Sequence, residues 1–359
     1  MKLSFLHLLK FILFWSSAAI TQTIFPGLGG EELLDSLAAR YKTSVVLSYD
    51  NARDSLFLKI QSVNDSLTCV YTGYKIYLDP TQDPTQYAAS QGIDTEHIYP
   101  QSKGAVGQAR SDMHHLFPTR MVVNSSRGND PFSEIPDQFT TRWFRLDQIL
   151  SSIPPSNIDE YSEKDDNNLR FEPREEFKGD AARAVFYFYT MYRQEADNAD
   201  PQFFNLQMDD LYLWHKNDTV SNLEYDRNER IAVYQDGKKN PFILDSSLAR
   251  RAYFNVTSLE NIKSGLPLLF HLYQNYPNPF NPGTTIKYSL QIAGEVELTI
   301  YDLLGKRVKR LIDAKQSVGF HEIKWDGRNN SGSVVGAGIY IYRLKVENQA
   351  ISKKMTLLR

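Results

Sequence analysis

Apolar residues recur along this chain with two different periods, and the change falls near Leu266. Upstream the spacing is helical. Leu33, Leu34, Leu37 and Ala38 sit three and four residues apart and predict a helix over 30–40. From Asp180 to Gln194, Ala, Val, Phe, Tyr and Met fall on nearly every face, and a helix apolar all round predicts burial at a domain centre. Its aromatic residues are read as core rather than as a platform for stacking bases. The stretch 130–173 is polar and rich in Ser, Pro and Asp, which predicts a surface excursion. Downstream, 284–290, 296–301, 321–325 and 338–346 alternate with period two between Gly, Asn and Asp turns. That pattern predicts an antiparallel β-sandwich of about ninety residues.

The first residues follow neither pattern. Lys2 and Lys10 flank or interrupt an apolar run over 3–15, which passes into Ser16, Ser17, Ala18 and Ala19. This predicts a secretory signal peptide cut between Ala19 and Gln22, since the run is too short to span a bilayer. No cysteine lies near the cut, so a lipid anchor is not expected. Cys69 is the only cysteine. An exported chain with one thiol has no internal disulfide and depends on packing, and thiolate zinc sites are excluded.

The net charge of −3 is unevenly spread. From Pro267 onward there are 13 Lys+Arg against 7 Asp+Glu, whereas the part between the leader and Pro267 holds 25 against 36. A protein that binds nucleic acid by charge alone is basic. An acidic region acting on phosphates needs a bound cation and a few local arginines.

The residues for such chemistry lie close together. Glu96 and His97 are adjacent, His114 and His115 follow, and Asn124 and Arg127 come next. Phosphodiester hydrolysis needs a base for water, positive charge for the phosphate oxygens, and a clamp. His97 suits the first, as a neutral imidazole is a base near pH 7. Glu96 and Asn124 offer hard oxygens for magnesium, with manganese or calcium as alternatives. Arg127 and Arg110 are the nearby guanidiniums able to bind phosphate. A helix over 121–128 puts Asn124 and Arg127 on one face, and the Gly128 to Pro131 stretch ends it. Neighbouring side chains on a strand point to opposite faces, so Glu96 and His97 serve one site only at a strand end or on a distorted segment, and Pro100 is expected to help end the strand. His114 and His115 are read as one buried and one surface histidine held by backbone bonds. A metalloprotease of the His-x-x-Glu-His type fails because position 93 is Ile93.

Four blocks together resemble the endonuclease I family: Thr95-Glu-His-Ile-Tyr-Pro-Gln-Ser102, Ser111-Asp-Met-His-His-Leu-Phe-Pro118, Val123-Asn-Ser-Ser-Arg-Gly-Asn129 and Pro131-Phe132. Further matches are Tyr71-Thr-Gly73, Lys178-Gly-Asp-Ala-Ala-Arg-Ala184, Leu213-Trp-His-Lys216, Asp226-Arg-Asn-Glu-Arg-Ile231 and Asn240-Pro-Phe242, so the resemblance covers about 70–245. It implies a non-specific secreted nuclease of the ββα-metal (His-Me finger) kind, with His97 as general base and Glu96 and Asn124 on one magnesium ion. DNA ends would carry 5′-phosphate, and RNA is often cut too. Two positions depart from the family. His115 stands where members often have Asn, and the segment between Pro100 and Ser111 is short, leaving Arg110 as the candidate for a phosphate-contacting arginine carried there by others.

The C-terminal part resembles the sorting domain of type IX secretion substrates through Tyr273-Gln-Asn-Tyr-Pro-Asn-Pro-Phe-Asn-Pro-Gly-Thr-Thr-Ile286, Tyr301-Asp-Leu-Leu-Gly305, Trp325-Asp-Gly327 and Ala337-Gly-Ile-Tyr340. The basic-then-apolar finish Lys353-Lys-Met-Thr-Leu-Leu358 is similar as well. The expected protein is α+β: a mainly helical nuclease domain around a ββα-metal core, then an all-β immunoglobulin-like sandwich. Its expected parts are a leader (1–22), a nuclease domain (23–258), a linker (259–271) and a sorting domain (272–359). It is expected to be exported, secreted or surface-attached, and monomeric, with DNA or RNA as substrate and the type IX machinery as partner. The rivals are a surface adhesin that binds nucleic acid without cutting it and a hydrolase of some other phosphodiester.

Overall fold

The computed structural model describes residues 23–254, 270–273, 275–290, 293–317, 319–347 and 349–358. The expected leader and most of the expected linker lie outside the described residues. Among the described residues no helix is long and apolar enough to cross a membrane. The chain is α+β, with two hydrophobic clusters: one built between Leu33 and Ala252, the other between Phe270 and Leu357.

The first part opens with helices α1 (Gly30–Tyr41) and α2 (Tyr49–Ser55), the latter running on into a wider turn over Leu56–Gln61. Leu33, Leu34 and Leu37 of α1 are buried, as their spacing predicts. Ser48 caps α2 through the Asn51 N–H. Strands β1 (Ser66–Thr68) and β2 (Lys75–Tyr77) form a small antiparallel pair, and α3 (Pro84–Ser90) follows.

Strands β3 (Ile93–His97) and β4 (Leu116–Arg120) then pair antiparallel, with Glu96 opposite Phe117 and His97 opposite Leu116. Helix α4 (Met121–Arg127) leaves directly from the end of β4. It stops at Gly128, whose φ of 59° is cheap only for glycine. The helix ends at Gly128 as expected, and β3 ends at His97, three residues before Pro100.

The polar stretch after α4 is largely exposed over 145–160, as expected of a surface excursion, but it is not irregular. It forms a four-stranded antiparallel sheet from β5 (Arg142–Arg145), β6 (Gln148–Leu150), β7 (Ser162–Asp165) and β8 (Arg170–Glu172), in the order β6-β5-β7-β8. The strands are three or four residues long, too short for period-two alternation to show. Trp143, Phe144 and Phe171 are buried, and so are Lys164 and Asp165. Both charges are satisfied, Lys164 by Asp130 and Asp165 by Arg170 and the N–H groups of Asn167 and Asn168.

Helix α5 (Glu175–Met191) begins before the expected Asp180 and runs through the centre with most of its residues buried. Each large apolar side chain buried there contributes about 1.5–3 kcal/mol relative to exposure. Helices α6 (Arg193–Ala199), α7 (Phe203–Asn217), α8 (Asn222–Tyr234), α9 (Pro241–Leu244) and α10 (Leu248–Tyr253) complete this part. Buried cations on α5 hold it to its surroundings. Arg183 meets Glu224 (2.6 Å), Asp218 (2.5 Å) and Asp180 (2.9 Å), and Lys178 meets Glu172 (2.7 Å) and Glu134 (3.1 Å). From α8, Arg227 donates to the carbonyls of Met113 (2.7 Å) and Leu116 (2.8 Å) and lies over the Phe117 ring, fixing the start of β4.

The second part is all β. Strands β9 (Phe270–Leu272), β10 (Thr284–Leu290) and β13 (Gly319–Trp325) make a sheet in the order β13-β10-β9. Strands β11 (Gly294–Asp302), β12 (Arg307–Gln316), β14 (Gly338–Val346) and β15 (Gln349–Leu357) make the other, ordered β12-β11-β14-β15. Inward residues such as Ile286, Leu298, Trp325 and Leu344 fill the space between. The sequence pattern marked β10, β11, β13 and β14. It missed β9, which overlaps the end of the expected linker, and β12 and β15, whose Lys and Arg residues hide the alternation.

Candidate active site

The β3–β4 pair and α4 bring the expected residues to one place, each held by a different part of the chain. Glu96 is 2% exposed. Its Oε1 accepts from the Tyr71 hydroxyl (2.8 Å) and from Arg127 Nη1 (2.5 Å). Burial raises the Glu96 carboxyl above its ordinary range, although the Arg127 charge and the Tyr71 bond pull it down. Both bonds land on Oε1.

His97 is the last residue of β3 and 7% exposed. Its Nε2 lies 3.0 Å from the Arg110 carbonyl oxygen. A carbonyl only accepts, so Nε2 carries the ring proton and Nδ1 keeps its lone pair. The ring lies between Tyr49 (centroids 5.5 Å apart, planes at 25°) and His115 (5.5 Å). Burial first, then the charges of His115, Arg110 and Arg53, depress its pKa to about 3, so the imidazole is neutral at physiological pH.

Asn124, on α4, donates from Nδ2 to the Thr95 carbonyl of β3 (3.3 Å), which leaves its Oδ1 unspent. Arg127 sits on the same helix with a side chain 0% exposed. Besides Glu96 it donates to the carbonyls of His97 (3.1 Å) and Ile98 (2.9 Å), and it lies over the Phe132 ring. The expectation that Arg127 clamps a phosphate does not match this placement, because both Nη atoms are bonded to protein oxygens and the side chain is shut away from solvent. Arg110 is the opposite case. Its guanidinium is exposed and rests 4.1 Å from the Tyr49 ring centroid.

The reading of His114 and His115 as one buried and one surface residue is also corrected. Both are 0% exposed. His114 Nε2 meets the Lys238 carbonyl and His115 Nε2 the Ala109 carbonyl, and burial depresses both to about 4. Nearby Asp112 accepts from Tyr187, Tyr192 and Gln235 and so braces the segment that carries both histidines. Tyr71, Tyr49, Arg53 and Asp112 were not picked out as site residues in the sequence. Tyr71 belongs to a matching block, but Tyr49 and Arg53 lie upstream on α2 with no motif around them. Two carboxylate groups, Glu134/Glu172/Glu175 and Asp180/Asp218/Glu224, could also hold an ion, but each already encloses a buried cation, Lys178 or Arg183.

A buried carboxylate, a neutral imidazole and an amide oxygen with no bond among the described residues thus meet around a β-pair and its following helix. The chain belongs to the endonuclease I family: residues 33–247 match that family's model. Over 166 residues, 41% of this chain, it is 32% identical to an extracellular ribonuclease of Bacillus subtilis (strain 168). Over 163 residues it is 30% identical to an extracellular ribonuclease of Bacillus amyloliquefaciens. The chain spans about half, 49%, of each relative's length. Residues 282–350 match the model of the FlgD Ig-like domain. Among solved structures, dimeric latent PorU from Porphyromonas gingivalis is 25% identical, with 26% of this chain and 10% of that one covered, at a TM-score of 0.23. FlgD from P. aeruginosa is 21% identical, with 21% and 58% covered, at 0.18. TM-scores this low carry no weight for the architecture.

Proposed function

We propose that this protein is an exported, sequence-tolerant endonuclease that hydrolyses DNA and RNA phosphodiesters with His97 as general base. The observation that carries the reading is the His97 ring at the end of β3. Its Nε2 proton is pinned to the Arg110 carbonyl, its Nδ1 is free, and Glu96 is its direct neighbour. Family membership and the two extracellular ribonucleases support a nucleic-acid substrate and export.

The residues fit a hard divalent cation. The donors left over are oxygens, Glu96 Oε2 and Asn124 Oδ1, which suit magnesium, manganese or calcium rather than zinc. A cation there neutralises charge on the phosphate oxygens as a Lewis acid. Glu96, whose pKa burial raises, would be favoured in its ionised form by such a bound charge. Tyr71 and Arg127 fix Glu96 Oε1 and so orient the other oxygen. His97 removes a proton from the attacking water at Nδ1. Arg110, exposed and unspent, binds a nonbridging phosphate oxygen. Attack at phosphorus with departure of the 3′-oxygen leaves a 5′-phosphate end. Contacts to phosphate and sugar carry no sequence information, hence the tolerance.

The β-rich C-terminal part has no comparable cluster among its described residues. We assign it an addressing role, as a type IX sorting domain that follows a cleaved leader, with secretion or surface attachment as the outcome. Plasmid incubated with the purified protein, with and without EDTA, tests the whole reading. Nicking that EDTA stops and magnesium restores is the expected result. Binding without cutting under every metal condition would favour the adhesin, and cleavage of a small chromogenic diester alone would favour the other hydrolase.

A further inference from the structure

Three contacts around the base close into a triangle. The Arg110 carbonyl holds His97 Nε2 at 3.0 Å, the Arg110 guanidinium carbon lies 4.1 Å from the Tyr49 ring centroid, and the Tyr49 ring stacks on the His97 ring at 5.5 Å. Tyr49 therefore touches both the group expected to take the proton and the group expected to take the phosphate. A second arginine, Arg53, also approaches this ring (5.3 Å), but it is tied to Asp94 (2.6 Å) and Thr95 (3.0 Å). Among the described residues Arg110 has no such tie, and its charge rests against the Tyr49 ring. The Tyr49 hydroxyl makes no hydrogen bond among the described residues, so what matters is the face of the ring.

We infer that Tyr49 is a positioning residue whose ring forms a shelf that holds the Arg110 guanidinium beside His97, aimed at the incoming phosphate. The inference rests on the nuclease reading above. An arginine on an exposed turn samples many rotamers, and an aromatic face under the guanidinium narrows them before substrate arrives. The ring is packed against His97 and lies under Arg53, and Tyr49 opens α2 directly after its Ser48 cap. Misplacing a positioned group by about 1 Å costs roughly a hundredfold in rate, which sets the scale of the effect.

The test is a double-mutant cycle in the full chain, read as kcat and KM for plasmid cleavage in magnesium across a series of salt concentrations. Tyr49→Phe keeps the shelf and should match the wild type. Tyr49→Ala should lose about 10- to 100-fold in kcat/KM. Arg110→Ala should lose at least as much, with a salt slope shallower by about one. In Tyr49→Ala/Arg110→Ala the tyrosine change should add almost nothing, because the shelf has nothing left to hold. Full additivity would overturn the inference, and so would wild-type kinetics in Tyr49→Ala. Circular dichroism and melting temperature of each variant separate a folding defect, and Tyr49→Trp, which retains a face, should recover activity if the shelf is real. A wild-type protein that fails to cut would instead sink the nuclease reading itself.

Discussion

The two parts of the molecule bury very different things. The sandwich core is built from Ile286, Tyr288, Leu298, Trp325, Tyr342 and Leu344, and among the described residues the buried polar ones there are Asn275, Thr284 and Thr299, all neutral. The first part buries Glu96, Asp112, Arg127, Asp165, Lys178, Arg183 and Arg227. Burying a charge costs several kcal/mol before any partner offsets it, and an ion pair seldom beats an apolar core of equal volume. The sandwich shows that this chain can build a stable layer without that expense. The charges in the first part therefore need another reason, and around β3 and α4 the reason is position. Arg127 holds Glu96, Asp112 braces the His114–His115 segment, and Arg227 anchors the start of β4.

The contrast can be broken most decisively at the base. His97→Ala should cut turnover by about 10²- to 10⁴-fold with the fold and DNA binding retained, measured on plasmid and by melting. The same assay on a chain ending before residue 270 should stay within about twofold of the full-length rate, because the site draws on the first core alone. A large loss there would merge two regions described as separate.

Stability sharpens the contrast next. Arg127→Met leaves Glu96 buried without its cation and should cost about 3–5 kcal/mol in urea unfolding. Adding Glu96→Gln should return part of that loss. In the sandwich, Leu298→Ala should cost about 2–5 kcal/mol through a cavity, and no charge change elsewhere should rescue it.

The pH response should differ as well. His97, His114 and His115 have native pKa values of about 3, 4 and 4, below the ordinary value of 6.5. The unfolded chain then binds more protons than the native one, so stability falls as pH drops from about 6.5 toward 4. A tenfold change in proton affinity is worth about 1.4 kcal/mol per group. The melting transition of the first part should move down over that window, seen by calorimetry at stepped pH, while one that held steady would mean these histidines are not buried neutral. Smallest of all, Tyr71→Phe removes one hydrogen bond to Glu96 and should cost about 1 kcal/mol.

How much of this was legible in the sequence follows the same division. Long, regular elements showed through: α1 and the centre of α5 by helical spacing, and β10 and β14 residue for residue by alternation. The short β5–β8 strands did not, because three- and four-residue strands between Ser, Pro and Asp turns carry too few positions to show a period. Their buried Lys164 and Asp165 read as surface charge until their partners are seen. The proximity of Glu96, His97 and Asn124 was legible, because they lie in neighbouring sequence blocks. Arg127 was read as a phosphate clamp, and the sequence does not reveal that its guanidinium is bonded to the adjacent strand's own carboxylate. Tyr49 and Arg53 reach the site from more than forty residues upstream by tertiary packing alone.

The direct test of the central claim is a manganese titration followed by electron paramagnetic resonance, which counts bound ions without needing turnover. The account predicts one tight site in the wild type and in His97→Ala, and its loss in both Glu96→Gln and Asn124→Ala. Equal binding in all four proteins would contradict it, because the cation would then be held somewhere other than between β3 and α4.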